Sequence, residues 1–249
     1  MTTEKRVLII GDSHTAPEQD LRRFKALGNY IKSVQPDVIV DIGDFLTLDS
    51  LSAWDKDKRK KMEGRRYAKE IEAGNRALDY IQNVPKNTKR RIKIKGNHEE
   101  RLDRYLDHDP TFAGQVSLEK DLDLKARGFE VVEYKDCIDI DGVSFTHVPI
   151  SGTGKPIGEP NVTRKALALY NNSVVFGHCH TLSHSAEHRT NAPHLNQALS
   201  AGCFFEHVDD YAKGSKTDYW RGVVLLNIYH KNRFDFQTTS MSNLLKKYG

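Results

Sequence analysis

This chain has few cysteines and no long apolar run. The 249 residues include three cysteines, Cys137, Cys179 and Cys203, an odd number without the spacing of a metal-binding pair. We therefore expect no disulfides and a reducing compartment. No apolar run is long enough to cross a bilayer, and no signal-peptide core precedes the first apolar segment. The sequence predicts a cytoplasmic protein without a membrane partner.

Internal repeats, low-complexity tracts and Pro- or Ser-rich linkers are also lacking. A length of 249 residues suits one large or two small domains, and a hydrophobic content of 38% is enough for a core. Without a linker, a single domain spanning 1–249 is predicted. The formal net charge of +4 permits a polyanionic substrate but does not require one. Oligomeric state leaves no signal in the sequence.

Four polar stretches each follow a short apolar run that is typical of a β-strand. The runs begin at Val7, Val38, Ile92 and Val174. Each is followed by glycine and a side chain able to bind a metal, in Gly-Asp-Ser-His (11–14), Gly-Asp (43–44), Gly-Asn-His-Glu (96–99) and Gly-His-Cys-His (177–180). Between the first two runs, apolar residues recur at helical spacing, which predicts a parallel α/β unit.

The spacing within these stretches predicts converging metal ligands. In extended backbone, residues i and i+2 point to the same side, so Asp12 with His14, and His178 with His180, would each present two ligands to one point. Cys179 would then face away and fill the core. Ligands in open α/β sheets collect at the carboxyl ends of strands. Carboxylate, imidazole and amide ligands together suit a pair of divalent first-row ions.

The order of these motifs resembles the calcineurin-like metallophosphoesterase superfamily. Asp-x-His, Gly-Asp, Gly-Asn-His-Glu, a lone histidine and Gly-His-x-His follow one another from Asp12 to His180. The compact chain is similar to bacterial or phage-type members. The resemblance implies an α/β fold, namely a four-layer αββα sandwich of two mixed sheets flanked by helices, with a dinuclear site at the strand C-terminal ends.

The resemblance also implies a role for each motif residue. One divalent ion would be held by Asp12, His14 and His180, the other by Asn97, His147 and His178, with Asp44 as the bridge and His98 as the catalytic histidine. Family members often have glycine after the residue corresponding to His147, where this chain has Val148-Pro149, so the local loop departs from the pattern. Mixed oxygen and nitrogen ligands suit Mn²⁺, Fe²⁺, Zn²⁺ or Ni²⁺, of which Mn²⁺ is predicted for activity.

The catalytic histidine is expected to protonate the leaving oxygen or bind the phosphoryl group. In part of the family, an aspartate three residues after the bridging one supports it. That position is Thr47 here, so Asp49 or a water is expected to support His98. Arg101, on the first turn of the following helix, is expected to reach the phosphate or to pair with a neighbouring carboxylate. The helix N-terminus would direct N–H groups toward the same anion.

A basic stretch follows the bridging aspartate. Residues 54–61 are rich in lysine and lead into a helical pattern ending near Gln82, which predicts a basic helical insertion at about 50–83. Such an insertion could hold phosphates by charge, and DNA or RNA would then be a partner. The alternative is a solvated helix face, because Asp55, Asp57 and Glu63 are interspersed among the bases.

The resemblance implies a phosphate-ester substrate, and the basic stretch favours phosphodiesters or nucleic acid. The near alternative is a phosphomonoesterase acting on proteins or nucleotides. The less favoured alternative is a binding or scaffold module that has no catalytic activity. If the chain is phage-encoded, its expected location is the host cytoplasm.

Most histidines beyond the last motif are not expected to be ligands, because seven other residues already account for two metals. Two of them, His184 and His188, are candidates for an edge of the pocket. Tyr219 and Trp220, within the stretch 211–221, lie near bases and could stack nucleobases, although core packing or an interface is favoured.

Overall fold

The computed structural model of the protein describes residues 4–188, 195–207 and 218–249. Within these ranges the chain forms eleven strands and seven α-helices. The strands are β1 (Lys5–Ile10), β2 (Val38–Asp41), β3 (Arg90–Ile94), β4 (Phe129–Val132), β5 (Ile138–Ile140), β6 (Val143–Thr146), β7 (Ser173–Phe176), β8 (Leu182–His188), β9 (Leu195–Ala201), β10 (Gly222–His230) and β11 (Arg233–Ser240). The helices are α1 (Arg22–Val34), α2 (Arg59–Met62), α3 (Tyr67–Tyr80), α4 (Glu100–His108), α5 (Leu118–Asp121), α6 (Val162–Leu169) and α7 (Met241–Tyr248).

The first sheet has six strands in the order β11-β10-β1-β2-β3-β4. Strands β1 to β4 are parallel, with Val7 opposite Val38 and Val40 opposite Ile92, whereas β10 and β11 are antiparallel additions on the β1 side. Because β1, β2 and β3 are parallel, their carboxyl ends lie at one edge of the sheet. The first three polar stretches begin at this edge.

The second sheet has five strands in the order β5-β6-β7-β9-β8. Strands β6, β7 and β9 are parallel, and β5 and β8 form its antiparallel edges. The carboxyl ends of β6 and β7 therefore lie together, and His147 and the Gly-His-Cys-His stretch follow them directly. The mixed character of both sheets agrees with the sequence prediction.

The two sheets pack face to face, and helices cover their outer faces. On β1, Val7 and Ile9 point toward the second sheet and join a buried cluster with Phe145. Leu8 and Ile10 point the other way, into a cluster shared with α1, α3 and α7. Helix α6 packs on the outer face of the second sheet. This order of layers confirms the predicted four-layer αββα sandwich.

The basic segment predicted at about 50–83 is not one continuous helix. A 3₁₀ turn, Asp49–Leu51, is followed by the single-turn helix α2 and then by α3. The interruption has a backbone cause, because Gly64 has a φ of 76° and Arg66 is extended. In α3, Ala73 and Ala77 are buried in the helical layer. The description of 50–83 as an insertion relative to other family members stays a prediction, as does the single-domain extent.

Strand β8 and helices α6 and α7 were not predicted from the sequence. Strand β8 has the sequence Leu-Ser-His-Ser-Ala-Glu-His, which offers no apolar run because it lies at an edge of the second sheet. None of the described helices is both long and apolar enough to cross a membrane.

Replacing Phe145 tests the contact between the sheets. Its side chain is 0% exposed, so Phe145→Ala should lower the free energy of unfolding by about 3–5 kcal/mol. Phe112→Ala is the matched control, because that side chain is 48% exposed and its loss leaves no cavity. Urea denaturation measures both. Equal midpoints for the two variants would contradict a core between the sheets.

Candidate metal centre

The first group of predicted ligands converges at the ends of β1 and β7. His180 Nε2 lies 3.1 Å from Asp12 Oδ2 and 3.2 Å from His14 Nε2. All three side chains are buried. One atom from each therefore faces a common point, and the structure brings these three residues together.

The second group meets beside the first, at the ends of β3, β6 and β7. His147 Nε2 lies 3.2 Å from Asn97 Oδ1 and 3.5 Å from Asp44 Oδ2. Ligand-capable atoms of Asp44, His147 and His178 lie within 4.8 Å of one another. The structure thus brings together the predicted second set.

Asp44 lies between the two groups. Its Oδ2 is 3.8 Å from His14 Nε2 in the first group and 3.5 Å from His147 Nε2 in the second. Its other oxygen, Oδ1, accepts a hydrogen bond from the backbone N–H of His98 at 2.9 Å. Oδ2 is therefore the atom placed to bridge. The N–H that binds this carboxylate belongs to His98, two residues before α4 begins, and the expected contact of the helix N-terminus with a phosphate stays a prediction.

The ligand stretches are not extended, so the expected alternation of side chains is the wrong reason for their convergence. His14, Asp44, His178 and His180 have φ values of 41°, 50°, 66° and 58°. This left-handed conformation costs on the order of 1 kcal/mol per residue outside glycine. Such conformations persist where surrounding contacts determine them, as at functional sites.

Three glycines permit the close approach of these segments. A Cβ atom at Gly96 would collide with Asp44, and one at Gly177 with the carboxylate of Asp12. A Cβ atom at Gly43 would collide with the ring of His147. These glycines therefore have a packing role at the site.

The pKa shifts of His14, His178 and Asp44 suit bound cations, whereas the carboxylates around His147 raise its pKa. Burial, followed by the nearby charge of His98, lowers the pKa of His14 to about 3, so its imidazole is neutral. Burial also lowers the pKa of His178. Burial acts to raise the pKa of Asp44, but His147, His98 and His14 outweigh it and lower this pKa. Neutral imidazoles and charged carboxylates are the forms that bind metals.

A further observation supports the fit. His14 and His180 are buried with their Nε2 atoms 3.2 Å apart, and His14 Nδ1 has no hydrogen-bond partner among the described residues. Buried polar atoms normally have partners. A cation between the two Nε2 atoms would accept both of their lone pairs and remove the repulsion between them. The donor set of this chain therefore fits two divalent ions.

Glu99 holds the segments that carry these ligands. Its carboxylate accepts backbone hydrogen bonds from Gly96 (2.8 Å), Asp44 (2.9 Å) and Leu46 (3.0 Å). Burial, then the charge of Asp44, raises its pKa. The sequence placed Glu99 in a motif without giving it a role, because a glutamate at the start of a helix is more often solvated.

A buried lysine lies behind the ligands. Lys93 Nζ binds Asp41 Oδ2 at 2.6 Å and lies 3.5 Å from the centre of the Phe45 ring. Both members of the ion pair are at most 4% exposed. Sequence reasoning missed Lys93, because a lysine between two isoleucines of a strand suggests an outward side chain.

His98 contacts the backbone carbonyl of Thr47, whereas Asp49, one of the two supports that the sequence suggested, binds Arg101 instead. Its Nδ1 lies 2.6 Å from the carbonyl oxygen of Thr47. Arg101 Nη1 donates to the same oxygen at 2.8 Å and to Asp49 Oδ1 at 3.1 Å. Arg101 therefore makes the ion pair that the sequence left as an alternative. Its Nη2 is 3.3 Å from His98 Nε2, so it also lies beside the catalytic candidate.

Helix α3 holds the loop that supports His98. The buried carboxylate of Glu70 accepts from the N–H of Asp49 at 2.6 Å, from the hydroxyl of Ser50 at 2.5 Å and from the hydroxyl of Thr47 at 3.3 Å. The loop thus has its carbonyl groups directed toward His98 and Arg101. No sequence signal distinguished Glu70 from a surface glutamate of an amphipathic helix.

The other candidate residues lie outside the ligand groups. His184 packs on Phe236, 5.1 Å between ring centres, and His188 is exposed on β8, so neither borders the metal centre. Tyr219 does contact the site, with its ring 4.8 Å from that of His180. The N-terminal part of the predicted stretch 211–221 lies outside the described residues.

Cys179 is half-buried and packs against the cluster of α6. Burial raises the pKa of its thiol to about 12, which disfavours the thiolate that a metal needs. This placement agrees with its expected role as a filler.

Replacing Glu99 tests how the ligands are positioned. Glu99→Gln removes one acceptor oxygen from three backbone N–H groups, so we expect Mn²⁺ affinity to fall roughly 10- to 100-fold. Glu100→Gln, one residue later, is the matched control and should bind as the unchanged protein does. Isothermal titration calorimetry measures both. Unchanged affinity in Glu99→Gln would contradict the positioning role.

Comparisons with known proteins identify similar sequences and structures. Two curated relatives are each called Gene 54 protein. The one from Mycobacterium phage L5 is 25% identical over 234 residues, covering 90% of this chain and 89% of the relative. The one from Mycobacterium phage D29 is 27% identical over 183 residues, covering 71% of this chain and 69% of the relative.

Solved structures of similar proteins include an uncharacterized protein from Streptococcus pneumoniae TIGR4, described as a predicted phosphoesterase. It aligns with a TM-score of 0.44 and 12% identity over 97% of this chain and 92% of that one. Purple acid phosphatase from yellow lupin seeds aligns with a TM-score of 0.43 and 13% identity over 98% of this chain and 52% of that one. The calcineurin-like phosphoesterase model matches residues 5–182. This match spans well over half of the sequence, and the chain therefore belongs to the calcineurin-like phosphoesterase family, whose reaction is the hydrolysis of phosphoric esters.

Proposed function

We propose that this protein is a phosphodiesterase that depends on two divalent ions and acts on nucleic acid. The observation that carries the proposal is the position of Asp44 Oδ2, which faces both ligand groups and lies 4.0 Å from His98 Nε2. One carboxylate thus joins two candidate metal sites to a candidate proton donor.

The proposed metal ligands are the seven residues that the sequence indicated. The first ion would be held by Asp12, His14 and His180, the second by Asn97, His147 and His178, with Asp44 shared. Such ions, when bound, generate a nucleophile from water near neutral pH and stabilise charge on the phosphoryl oxygens. Mn²⁺ is the proposed metal for activity, with Fe²⁺, Zn²⁺ and Ni²⁺ as alternatives of similar coordination chemistry.

His98 is the proposed proton donor to the leaving oxygen. A carbonyl oxygen only accepts hydrogen bonds, so the 2.6 Å contact with Thr47 requires the proton on Nδ1. This leaves Nε2 directed toward Asp44 and the ligand groups. When the ring is an imidazolium, Nε2 also carries a proton and can give it to the departing alkoxide.

Arg101 is proposed to hold a phosphoryl oxygen beside His98. Its guanidinium is fixed by Thr47 and Asp49 on one side, which leaves Nη2 close to His98 Nε2. A phosphomonoester carries more negative charge than a diester, and a fixed guanidinium at this point would suit it. A phosphomonoesterase is therefore the second candidate. The diester is favoured by further bases that lie beyond Arg101.

The proposed place of action is the host cytoplasm. Support comes from the two curated relatives, which are both encoded by bacteriophages. Phage genes of this kind are expressed inside the infected cell.

Side-by-side hydrolysis of bis(p-nitrophenyl) phosphate and p-nitrophenyl phosphate in Mn²⁺ tests the reaction. We expect cleavage of the diester, no turnover in Asp44→Asn, and a loss of roughly 100-fold or more in His98→Ala. His188→Ala, an exposed histidine on β8, is the control and should keep full turnover. Preference for the monoester would select the second candidate. Unchanged turnover in Asp44→Asn would contradict both.

Metal removal tests the cofactor separately. Dialysis against a chelator should abolish hydrolysis, and Mn²⁺ should restore more of it than Zn²⁺ or Ni²⁺. Because a ligand that binds only the folded state stabilises it, Mn²⁺ should also raise the melting temperature. Full activity in protein shown by elemental analysis to be metal-free would contradict the metal dependence.

A further inference from the structure

A cavity opens from the candidate metal centre toward α2. It has a volume of about 340 Å³, and His14 and His98 line its inner end. Trp54, Lys61 and Arg65 line its outer part. The cavity therefore leads from the proposed scissile position to the basic segment, and a substrate longer than one phosphate group would follow it.

Cations outnumber carboxylates along this cavity. Its lining includes four permanent cations but only two carboxylates, namely Lys58, Lys61, Arg65 and Arg101 against Asp49 and Asp55. Each carboxylate is shared by two of the cations. Two positive charges are therefore left without compensation by the acids of the lining, and a second anionic group of a substrate would be attracted to them.

The ion pairs also fix where these cations point. Lys58 and Lys61 both lie 2.7 Å from Asp55, and their hydrogen bonds hold the pKa of Asp55 at about 2. Arg65 lies 2.7 Å from Asp49. The side chains of Lys61 and Arg65 are 35% and 25% exposed, so they are partly ordered against the wall and still reach solvent. Such ordering reduces the entropy lost when an anion binds.

Trp54 stands at the outer end of the cavity with an exposed ring. Its side chain is 89% exposed, the highest value among the large exposed hydrophobic residues described. An indole that packs against nothing contributes little to folding. Beside a cationic wall, it is a flat surface on which a nucleobase can stack.

A neighbouring cavity lacks this excess of cations. It shares Thr47, Asp49 and Arg65 with the first and has a volume of about 380 Å³. Its lining has four carboxylates against three cations, namely Glu18, Asp49, Glu63 and Glu70 against Arg65, Arg66 and Lys69. A polyanion would be repelled there. Of the two cavities, the one lined by Trp54 is therefore the better binding place for a polyanion.

We propose that this cavity is a subsite for single-stranded nucleic acid, in which a phosphate adjacent to the scissile one binds Lys61 and Arg65 and a nucleobase stacks on Trp54. The inference rests on the proposed phosphodiesterase function. A base within a duplex is already stacked and cannot cover the indole, so the subsite distinguishes single strands from duplexes.

Binding of a labelled single-stranded oligodeoxynucleotide of about 12 nucleotides tests the subsite. Fluorescence anisotropy in the presence of a chelator measures the Kd without cleavage. We expect Trp54→Leu to raise the Kd roughly tenfold, because one base loses its stacking surface. Lys61→Gln should weaken binding and reduce the salt slope by about 1. Lys60→Gln, on the same turn of α2 but outside the cavity, is the matched control and should change neither value.

A second measurement separates the subsite from the reaction. The ratio of kcat/KM for the oligonucleotide to kcat/KM for bis(p-nitrophenyl) phosphate should fall in Trp54→Leu, because the small diester has no base to stack. Binding by Trp54→Leu and Lys61→Gln equal to that of the unchanged protein would overturn the subsite, even if bis(p-nitrophenyl) phosphate is cleaved. A duplex or a phosphopeptide that binds as tightly as the single strand would overturn it as well. Weakened binding in both variants without cleavage of any diester would keep the subsite and reject the proposed reaction.

Discussion

The carboxylate of Glu99 is the contact on which the rest of the site depends. It accepts hydrogen bonds from backbone groups that follow β2 and β3, and so it joins the two segments carrying Asp44 and Asn97. Three backbone N–H groups thus share one carboxylate, and the loss of this acceptor would leave buried donors without a partner. The left-handed backbone at Asp44 persists because the Glu99 carboxylate binds the N–H groups of Asp44 and Leu46 and so fixes the chain on both sides of Phe45. The parallel sheet supplies the edge, and Glu99 sets the geometry at that edge.

Charge balance explains why this arrangement is associated with cations. Four carboxylates are at most 3% exposed near the strand ends, namely Asp12, Asp41, Asp44 and Glu99. Lys93 pairs with Asp41, and its charge partly opposes the rise that burial and Asp44 cause in the pKa of Glu99. One lysine cannot offset the charge of all four carboxylates. The pKa values of His14 and His178 are lowered, which keeps these two rings neutral, so they add no positive charge. Uncompensated buried charge is unfavourable. Divalent ions at this point would supply the missing positive charge.

The sequence predicted the parts of this molecule that leave a local signal. Apolar runs located the central strands, and the order of the motifs indicated the family, the layers and the ligand groups. Edge strand β8 was missed because an edge needs no apolar run. The roles of Glu70 and Lys93 were missed because burial of a charged residue depends on distant elements. The carbonyl of Thr47 was also unpredictable, since any residue can present a carbonyl and only the path of the backbone decides which one does.

Asp49 connects two parts of the molecule that a protein engineer would prefer to change separately. One of its oxygens binds Arg65 in the wall of the cavity, and the other binds Arg101 beside His98. Under the roles proposed above, a change of Arg65 made to alter substrate preference would also disturb the partner that orients Arg101, and with it the rate of the chemical step. Lys61 shares its carboxylate, Asp55, only with another lysine of the cavity. Under the same proposal, a change of Lys61 would alter selectivity alone, whereas a change of Arg65 would alter selectivity and turnover together.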